Sequence, residues 1–297
     1  MSNSNLLYFE KDAQAALALA KLLGTDPKLI TRHDFPDGEF KLQLPVALGE
    51  KAIIFLSLDH PNEKLIELLF LARTARLMGV KHLTLVAPYL AYMRQDIAFY
   101  PGEVVSQKIV GEFLASLFDA VITVDPHLHR IARLEAAIPI ERAVAISAAP
   151  ILGKFVAKER NNPLLIGPDA ESEQWVQKAA YLRQLDYAVA KKIRHGDSDV
   201  EIQLPSIDVA GRCVVLMDDI ASTGRTLAMA AQLLLEAGAK SVDVAITHAL
   251  FGNDVFMFLK QSGIANVWST DTVLHPTNAV SILPAIADAI AEPGSIN

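Results

Sequence analysis

The sequence has little of what would indicate a secreted protein or a membrane protein. Cys213 is the single cysteine, which excludes an intrachain disulfide framework and a zinc site built from several cysteines. No apolar run approaches the length of a membrane span, and the first residues lack the basic and apolar regions of a signal peptide. We therefore expect a cytoplasmic protein with no membrane partner.

Positive charge is also scarce. Lysine and arginine number 27 against 34 aspartates and glutamates, a formal net charge of −7. This balance argues against nucleic acid as a partner and favours a small molecule. Hydrophobic residues make up 52% of the chain, which is typical of a globular protein with an ample core, and 297 residues suit two domains of ordinary size.

The chain contains an internal repeat at an offset of 159 residues, which places Asp59 on Asp218. Residues 53–89 align without gaps with residues 212–248. Each copy has an apolar run, a polar turn, apolar residues at helical spacing and a second apolar run, which is the pattern of a βαβ unit. The repeat predicts an α/β fold with two tandem domains, each a mainly parallel sheet flanked by helices.

The predicted domains are residues 1–145 and 146–297, with a closing helix at 285–291. Strands are expected at 52–58, 83–88, 121–125, 163–167, 213–217 and 242–247. Ligands of parallel sheets bind outside the carboxyl ends of the strands, where Asp59 and Asp218 would lie. Because only the second copy carries Asp-Asp and Ser-Thr-Gly, we expect a single sugar site, in the second domain.

The most informative string is VVLMDDIASTGRT at 214–226. A buried strand delivers two carboxylates, and a turn of small residues then opens a helix, whose first amides suit a phosphate. The carboxylates can accept hydrogen bonds from vicinal sugar hydroxyls. A simple helix N-cap after a strand is the alternative. We favour a site for a phosphorylated ribose, formed by Asp218, Asp219, Ser222, Thr223, Gly224, Arg225 and Thr226.

This string resembles the sugar-phosphate loop shared by phosphoribosyltransferases and ribose-phosphate pyrophosphokinases. Other strings resemble pyrophosphokinase motifs in the pyrophosphokinase order, namely FPDGEF (35–40), PYLAYMRQD (88–96), PGEVVSQK (101–108), VDPH (124–127) and GPD (167–169). The resemblance implies two tandem phosphoribosyltransferase-like domains and transfer of diphosphate from ATP to the 1-hydroxyl of ribose 5-phosphate. The compact PGE segment is more similar to archaeal-type members than to bacterial members with a long loop.

The resemblance also implies roles for residues outside the sugar-phosphate loop. It assigns ATP binding to Phe35, Asp37, Glu39, Arg94, Gln95 and Asp96. The first three would reach the adenine bound by a neighbouring subunit, so we expect a homo-oligomer, either a dimer or a hexamer. It further implies Mg²⁺ as the cofactor, held by His127 and Asp169. Without the family, FPDGEF indicates only a hairpin tip, PYLAYMRQD a solvated loop, and the His127 and His129 pair a structural feature.

The segment 186–202, DYAVAKKIRHGDSDVEI, predicts a hairpin with a charged face. The family's catalytic loop carries a Lys-x-Arg, which matches Lys192 and Arg194, with Lys191 as the alternative lysine. One departure from the family is Glu171, since an added carboxylate would either repel phosphate or bind the metal. A phosphoribosyltransferase and a non-catalytic regulatory homologue are the alternative functions.

Overall fold

The structure is a computed structural model that describes residues 4–128, 130–131, 133–194 and 200–291, with the backbone alone at residues 192–194, 200 and 201. Its strands are β1 (Ser4–Phe9), β2 (Asp26–Asp34), β3 (Phe40–Gln43), β4 (Lys51–Phe55), β5 (His82–Ala87), β6 (Ala120–Val124), β7 (Arg142–Ile146), β8 (Leu164–Gly167), β9 (Tyr187–Val189), β10 (Lys191–Arg194), β11 (Val200–Gln203), β12 (Cys213–Ala221), β13 (Ser241–Ala249), β14 (Ile264–Thr270) and β15 (Asn278–Val280). Its α-helices are α1 (Ala13–Leu23), α2 (Pro61–Leu77), α3 (Ser106–Ala115), α4 (Ala149–Glu159), α5 (Glu173–Tyr181), α6 (Arg225–Glu236), α7 (Asn253–Gln261) and α8 (Leu283–Ala291).

The described chain forms two compact units, and the first contains residues 4–146 together with α8. Its sheet has the strand order β3-β2-β1-β4-β5-β6-β7 within the described residues. All pairs are parallel except β2 with β3. Strands β4, β5 and β6 are almost entirely buried apolar runs, because helices cover both faces of a parallel sheet.

The second unit contains residues 147–282. Its main sheet has the order β15-β14-β13-β12-β8-β9 in the part of the chain that the structure describes, and every pair is parallel. Buried residues of β8, β12 and β13 pack against one face of α6 to form the core. Strands β10 and β11 form a separate antiparallel pair.

The predicted fold class is confirmed, and each predicted strand is present within a few residues. The domain limits differ at one place, since residues 283–291 were predicted in the second domain and group with the first unit. The reason is a contact distant in sequence. Helix α8 packs on α1, and Leu283 and Ile286 are among its buried apolar residues.

The two repeat copies differ at the start of their helices. Helices α2 and α6 end at equivalent positions of the alignment, Leu77 and Glu236, but α2 begins at Pro61 and α6 only at Arg225. The first copy therefore has a turn of helix where the second has the loop 222–224. No helix among the described residues is long and apolar enough to cross a membrane.

Asp12 is a half-buried acid that follows the carboxyl end of β1. Its Oδ2 atom is buried and has no hydrogen-bond partner in the described part of the chain. Burial, which outweighs the attraction of Lys11 and Lys64, raises the pKa of this carboxyl from 3.8 to about 6. The folded protein therefore binds the proton more tightly than the unfolded chain, and the free energy of unfolding falls as the pH rises from about 4 to about 6.

Asp12→Asn should stabilise the protein at pH 7, because it removes the ionisation of a buried carboxyl. The gain should not exceed about 3 kcal/mol, which corresponds to a pKa difference of roughly two units, and it should disappear near pH 4. Denaturant unfolding of variant and parent at both pH values measures it. Asp26→Asn, which alters a surface pair with Lys28, is the control and should change stability by less than about 1 kcal/mol. A gain that is the same at both pH values would contradict the assignment.

Candidate active site

The candidate site lies at the carboxyl end of β12. This strand pairs with β13 as far as Ala221, whereas β8 pairs with it only as far as Leu216. Beyond Leu216, one edge of β12 has no neighbouring strand among the described residues, and Asp218 and Asp219 occupy this stretch. The strand is longer than the predicted 213–217, so both carboxylates belong to the strand itself.

Asp218 and Asp219 form an acidic pair in a water-poor position. Asp219 is 2% exposed, and its backbone N–H donates to Asp218 Oδ1 at 2.9 Å. Burial raises the pKa of Asp218 well above its usual value, and the negative charges of Asp219 and Asp169 raise it further. Carboxylates in this setting favour a ligand that donates hydrogen bonds, as the vicinal hydroxyls of a sugar do.

The loop 222–224 leads from β12 into α6 through Gly224. Gly224 has φ +67° and ψ −2°, a left-handed conformation that favours glycine. A Cβ at this position would lie 2.9 Å from Val255 Cγ1 and 3.0 Å from Leu259 Cδ2, so space also requires glycine. Since glycine has no side chain to cap the first amides of α6, the start of this helix suits an anion.

The other predicted residues of the sugar-phosphate site surround this turn. Ser222, Thr223 and Arg225 are exposed, and Thr226 is half-buried in the first turn of α6. The structure therefore brings all seven predicted residues onto one strand-turn-helix segment.

Asp169 lies in the loop after β8, in the same unit. Its Oδ1 accepts the backbone N–H groups of Glu171 at 3.1 Å and of Ser172 at 3.3 Å. The Asp169 N–H donates back to Ser172 Oγ at 3.4 Å, which completes a capping box, and the Ser172 hydroxyl also donates to Asp169 O at 2.5 Å. A Cβ at Gly167 would lie 2.3 Å from Ser172 Oγ, and glycine is therefore needed for this approach.

Sequence reasoning missed the role of Ser172, although the spacing Asp-x-x-Ser was a usable signal. Ser172 is fully buried and fixes the loop that carries Asp169, whereas Glu171 is exposed. Ser172 thus has a structural role, and Glu171, the departure from the family noted above, is exposed two residues after Asp169.

The loop 88–96 follows β5 in the first unit. Gln107 Nε2 donates to Met93 O at 3.1 Å and fixes the loop to the start of α3. Arg94 is exposed, and its guanidinium has no partner in the part of the chain that the structure describes. Asp96 differs, since its Oδ1 accepts from Arg130 Nη1 at 2.5 Å, so this carboxylate is already paired. Gln95 is half-buried, and its backbone carbonyl oxygen accepts the backbone N–H of Gln107 at 3.2 Å.

His127 lies after β6 in a strained segment. Asp125 has φ +34° and His127 φ +51°, both unusual for residues other than glycine, and the His127 N–H donates to Asp125 O at 2.8 Å. Such strain is concentrated at functional sites. His127 belongs to the first unit and Asp169 to the second, so their shared metal ion stays a prediction. His129 lies outside the described residues.

The turn 35–39 joins β2 to β3, as the Pro-Asp-Gly signal predicted. Phe35 is 39% exposed, and Asp37 and Glu39 are exposed as well. Phe35 N–H donates to Glu39 O at 2.8 Å, which closes the turn. All three side chains predicted to bind adenine are therefore accessible to a ligand outside the unit.

Lys192 and Arg194 lie on β10, opposite Ile202 and Val200 of β11. The predicted hairpin is thus present as far as the described residues extend. Alternate positions of a strand share one face, so positions 192 and 194 belong together and position 191 belongs to the other face. The side chains of Lys192 and Arg194 are outside the described part of the structure.

The first repeat copy handles its equivalent carboxylate differently. Lys64 Nζ donates to Asp59 Oδ1 and to Ser57 O, both at 2.6 Å, and Lys64 is buried. In this copy the chain's own ammonium group neutralises the acid that aligns with Asp218. The alignment of the two repeat copies did not reveal this ion pair, because the second copy has Thr223, and not a lysine, at the position of Lys64.

Two family models match the chain. Residues 5–117 match the N-terminal domain of ribose phosphate pyrophosphokinase, and residues 132–253 match the phosphoribosyl transferase domain. The chain is 35% identical over 276 residues to a ribose-phosphate pyrophosphokinase of Methanopyrus kandleri, covering 92% of this chain and 93% of the relative. It is 37% identical over 256 residues to ribose-phosphate pyrophosphokinase 2 of Archaeoglobus fulgidus, covering 86% and 89%. Both relatives are archaeal, as the compact PGE segment predicted.

The fold is similar to that of a solved structure. The phosphoribosylpyrophosphate synthetase of Mycobacterium smegmatis superposes with a TM-score of 0.83 at 24% identity, covering 97% of this chain and 98% of that one. At this identity the likeness shows the fold alone, and the fold is that of two tandem units.

Gly224→Ala should destabilise the second unit, because the substitution combines a left-handed backbone with crowding by Val255 and Leu259. We expect a loss of about 2 kcal/mol or more in the free energy of unfolding. Gly102→Ala is the matched control, since Gly102 has φ +89° but a Cβ there meets no atom within 4 Å. Its loss should stay near 1 kcal/mol. Equal losses in denaturant unfolding would show that crowding at Gly224 is unimportant.

Proposed function

The chain belongs to the ribose-phosphate pyrophosphokinase family, and we propose that it transfers diphosphate from ATP to ribose 5-phosphate, giving phosphoribosyl pyrophosphate and AMP. The family is one of diphosphotransferase enzymes, and the substrates are our assignment. The observation that carries the proposal is the segment 214–226, which has the strand, the left-handed glycine and the uncapped helix start that a sugar-phosphate site requires.

In this proposal the second unit binds ribose 5-phosphate. The 5-phosphate lies against the first amides of α6, where the hydroxyls of Ser222, Thr223 and Thr226 can donate to it. Asp218 and Asp219 accept hydrogen bonds from the 2- and 3-hydroxyls. These bonds favour the charged carboxylates and so offset the burial that raises the pKa of Asp218.

ATP binding is assigned to residues of the first unit. The planar guanidinium of Arg94 suits phosphate oxygens, and Gln95 can contact the base or a phosphate. Asp96 is better suited to fixing the loop, since it already binds Arg130. The exposed turn at 35–39 would receive the adenine bound by another copy of the chain, which makes a homo-oligomer, a dimer or a hexamer, part of the proposal.

Mg²⁺ is the proposed cofactor, with His127 and Asp169 as its protein ligands. Within the described residues no three His, Cys, Asp or Glu side chains form a complete metal site. The carboxylate of Asp169 is a typical Mg²⁺ ligand, whereas the imidazole of His127 is an unusual one, and phosphates and water would complete the shell. When bound, Mg²⁺ would neutralise phosphate charge.

The chemical step needs little beyond positioning and charge stabilisation. The 1-hydroxyl oxygen of the sugar bonds to the β-phosphorus, the bond from that phosphorus to the oxygen bridging to the α-phosphorus breaks, AMP leaves, and the hydroxyl proton is released. Lys192 and Arg194, on alternate positions of β10, would stabilise the charge that develops on the phosphate oxygens.

The purified protein should form AMP from ATP only when ribose 5-phosphate and Mg²⁺ are both present. Chromatography of the nucleotides measures this, with reactions lacking the sugar or the metal as controls. A protein that binds ATP and yields no AMP would be a non-catalytic homologue. Release of pyrophosphate from phosphoribosyl pyrophosphate with a nitrogenous base, without AMP formation, would instead identify a phosphoribosyltransferase.

Lys192→Ala should lower turnover by about a hundredfold or more, because a charge that stabilises the transition state is lost. Lys191→Ala is the matched control, since it removes the same charge one position away, and its turnover should stay within about threefold of the parent. Initial rates of AMP formation compare them. If the losses are reversed, Lys191 is the catalytic lysine, and if neither variant loses turnover, the assignment of this hairpin fails.

A further inference from the structure

We infer that Arg32 is a positioning residue for nucleotide binding, which fixes the turn at 35–39 to helix α2. The inference rests on the proposed role of Phe35, Asp37 and Glu39 in binding adenine. Arg32 itself lies on β2 and need not touch the nucleotide.

The guanidinium of Arg32 joins the strand to the helix through three carboxylates. Its Nε donates to Asp34 Oδ1 at 2.7 Å on the same strand. On α2, Nη2 donates to Glu63 Oε2 at 3.0 Å, and Nη1 donates to Glu67 Oε1. The planar fork of arginine can serve separate acceptors in this way, whereas the point charge of lysine cannot hold the same geometry.

Glu67 is the member of this set that fixes the position of the guanidinium. The Glu67 side chain is 0% exposed. Its Oε1 accepts from Arg32 Nη1, whereas its Oε2 is 4.0 Å from Lys11 Nζ, so Arg32 is the closer cation. A buried carboxylate is strongly unfavourable without a paired cation. Because α2 packs in the core through residues such as Leu68 and Leu71, Glu67 offers Arg32 an immobile partner.

Arg32 contacts both ends of the turn. Asp34, which it bonds, directly precedes Phe35. Phe40, whose ring centroid is 4.5 Å from the guanidinium carbon, directly follows Glu39 and also packs against Phe70 of α2. One side chain therefore brackets the five residues of the turn.

The turn needs such an anchor, because β3 is the outermost strand of its sheet. Within the turn, the backbone hydrogen bonds are local, from Phe35 N–H to Glu39 O at 2.8 Å and from Gly38 N–H to Phe35 O at 3.1 Å. Exposed segments at a sheet edge unfold locally with little free energy. Part of the binding free energy of a ligand is then used to order them. Prior fixation by Arg32 should appear as tighter nucleotide binding.

The test removes the anchor without leaving a buried charge unpaired. Arg32→Met combined with Glu67→Met replaces the ion pair by apolar side chains, which folded proteins generally tolerate. The control is Arg76→Met with Asp119→Asn, which removes a different arginine–carboxylate pair of the same unit, joined at 2.7 Å and distant from the turn in sequence. Thermal unfolding establishes that both double variants fold.

Two measurements follow. Amide hydrogen exchange at residues 35–40, without nucleotide, should become about tenfold faster in the Arg32 double variant and stay unchanged in the control. The KM for ATP should rise about tenfold, while kcat and the KM for ribose 5-phosphate stay within about twofold. Parent-like exchange, a parent-like KM for ATP, or equal increases in both KM values would each overturn the inference.

Arg32→Lys separates charge from geometry. Lysine keeps a cation beside Glu67, so we expect thermal stability close to the parent together with fast exchange at residues 35–40. If the lysine variant keeps the slow exchange of the parent, the planar guanidinium is not required and the proposed role of Arg32 is wrong. A parent protein that forms no AMP would refute the proposed function alone, because the exchange measurements would still report whether Arg32 fixes the turn.

Discussion

The carboxylates at the end of β12 impose the constraint on which the second unit depends. Asp218 and Asp219 are adjacent and poorly solvated, and Asp169 adds a third negative charge nearby, so the pKa of Asp218 lies well above its usual value. A structure of this kind is costly unless a ligand donates hydrogen bonds to the acids. Because β8 pairs with β12 only as far as Leu216, Asp218 stays half-buried, while Asp219 is buried.

Two glycines allow the surrounding backbone to approach. Gly224 lets α6 begin directly after the loop 222–224, and Gly167 lets Ser172 approach the loop that carries Asp169. A methyl group at either position would collide with neighbouring atoms. To relieve the collision, the start of α6 or the loop that carries Asp169 would have to shift. Small residues thus determine where the larger functional groups lie.

Much of the fold could be predicted from sequence, because β4, β5, β6, β12 and β13 are apolar runs within a βαβ repeat. Strand β2 was missed, since its residues, DPKLITRHD, are mostly polar and half-exposed. The placement of α8 depends on a contact with α1 that local pattern cannot reveal. The gap-free alignment also concealed the earlier start of α2.

The candidate site was predictable where it is contiguous, as at 214–226, and not where it depends on tertiary contacts. Ser172 and Arg130 form hydrogen bonds with the predicted site residues Asp169 and Asp96, and Arg32 bonds Asp34 next to the predicted turn. Each is a support for a residue that the motifs identify. The sequence therefore identified the groups to which we assign the chemistry, and the structure adds the hydrogen bonds that hold their loops in place.

The duplicated units offer opposite chemistry at equivalent sheet edges. In the first, Lys64 neutralises Asp59 inside the chain, and a turn of α2 occupies the position of the loop 222–224. Asp59 is therefore not available to accept sugar hydroxyls, while the loop after β5 presents Arg94, which we propose to bind phosphate. The second edge keeps its acids and its helix start for a ligand. Divergence of the two copies has thus given one edge a carboxylate paired within the chain and the other a carboxylate pair beside a helix start, and the proposed reaction would use this difference.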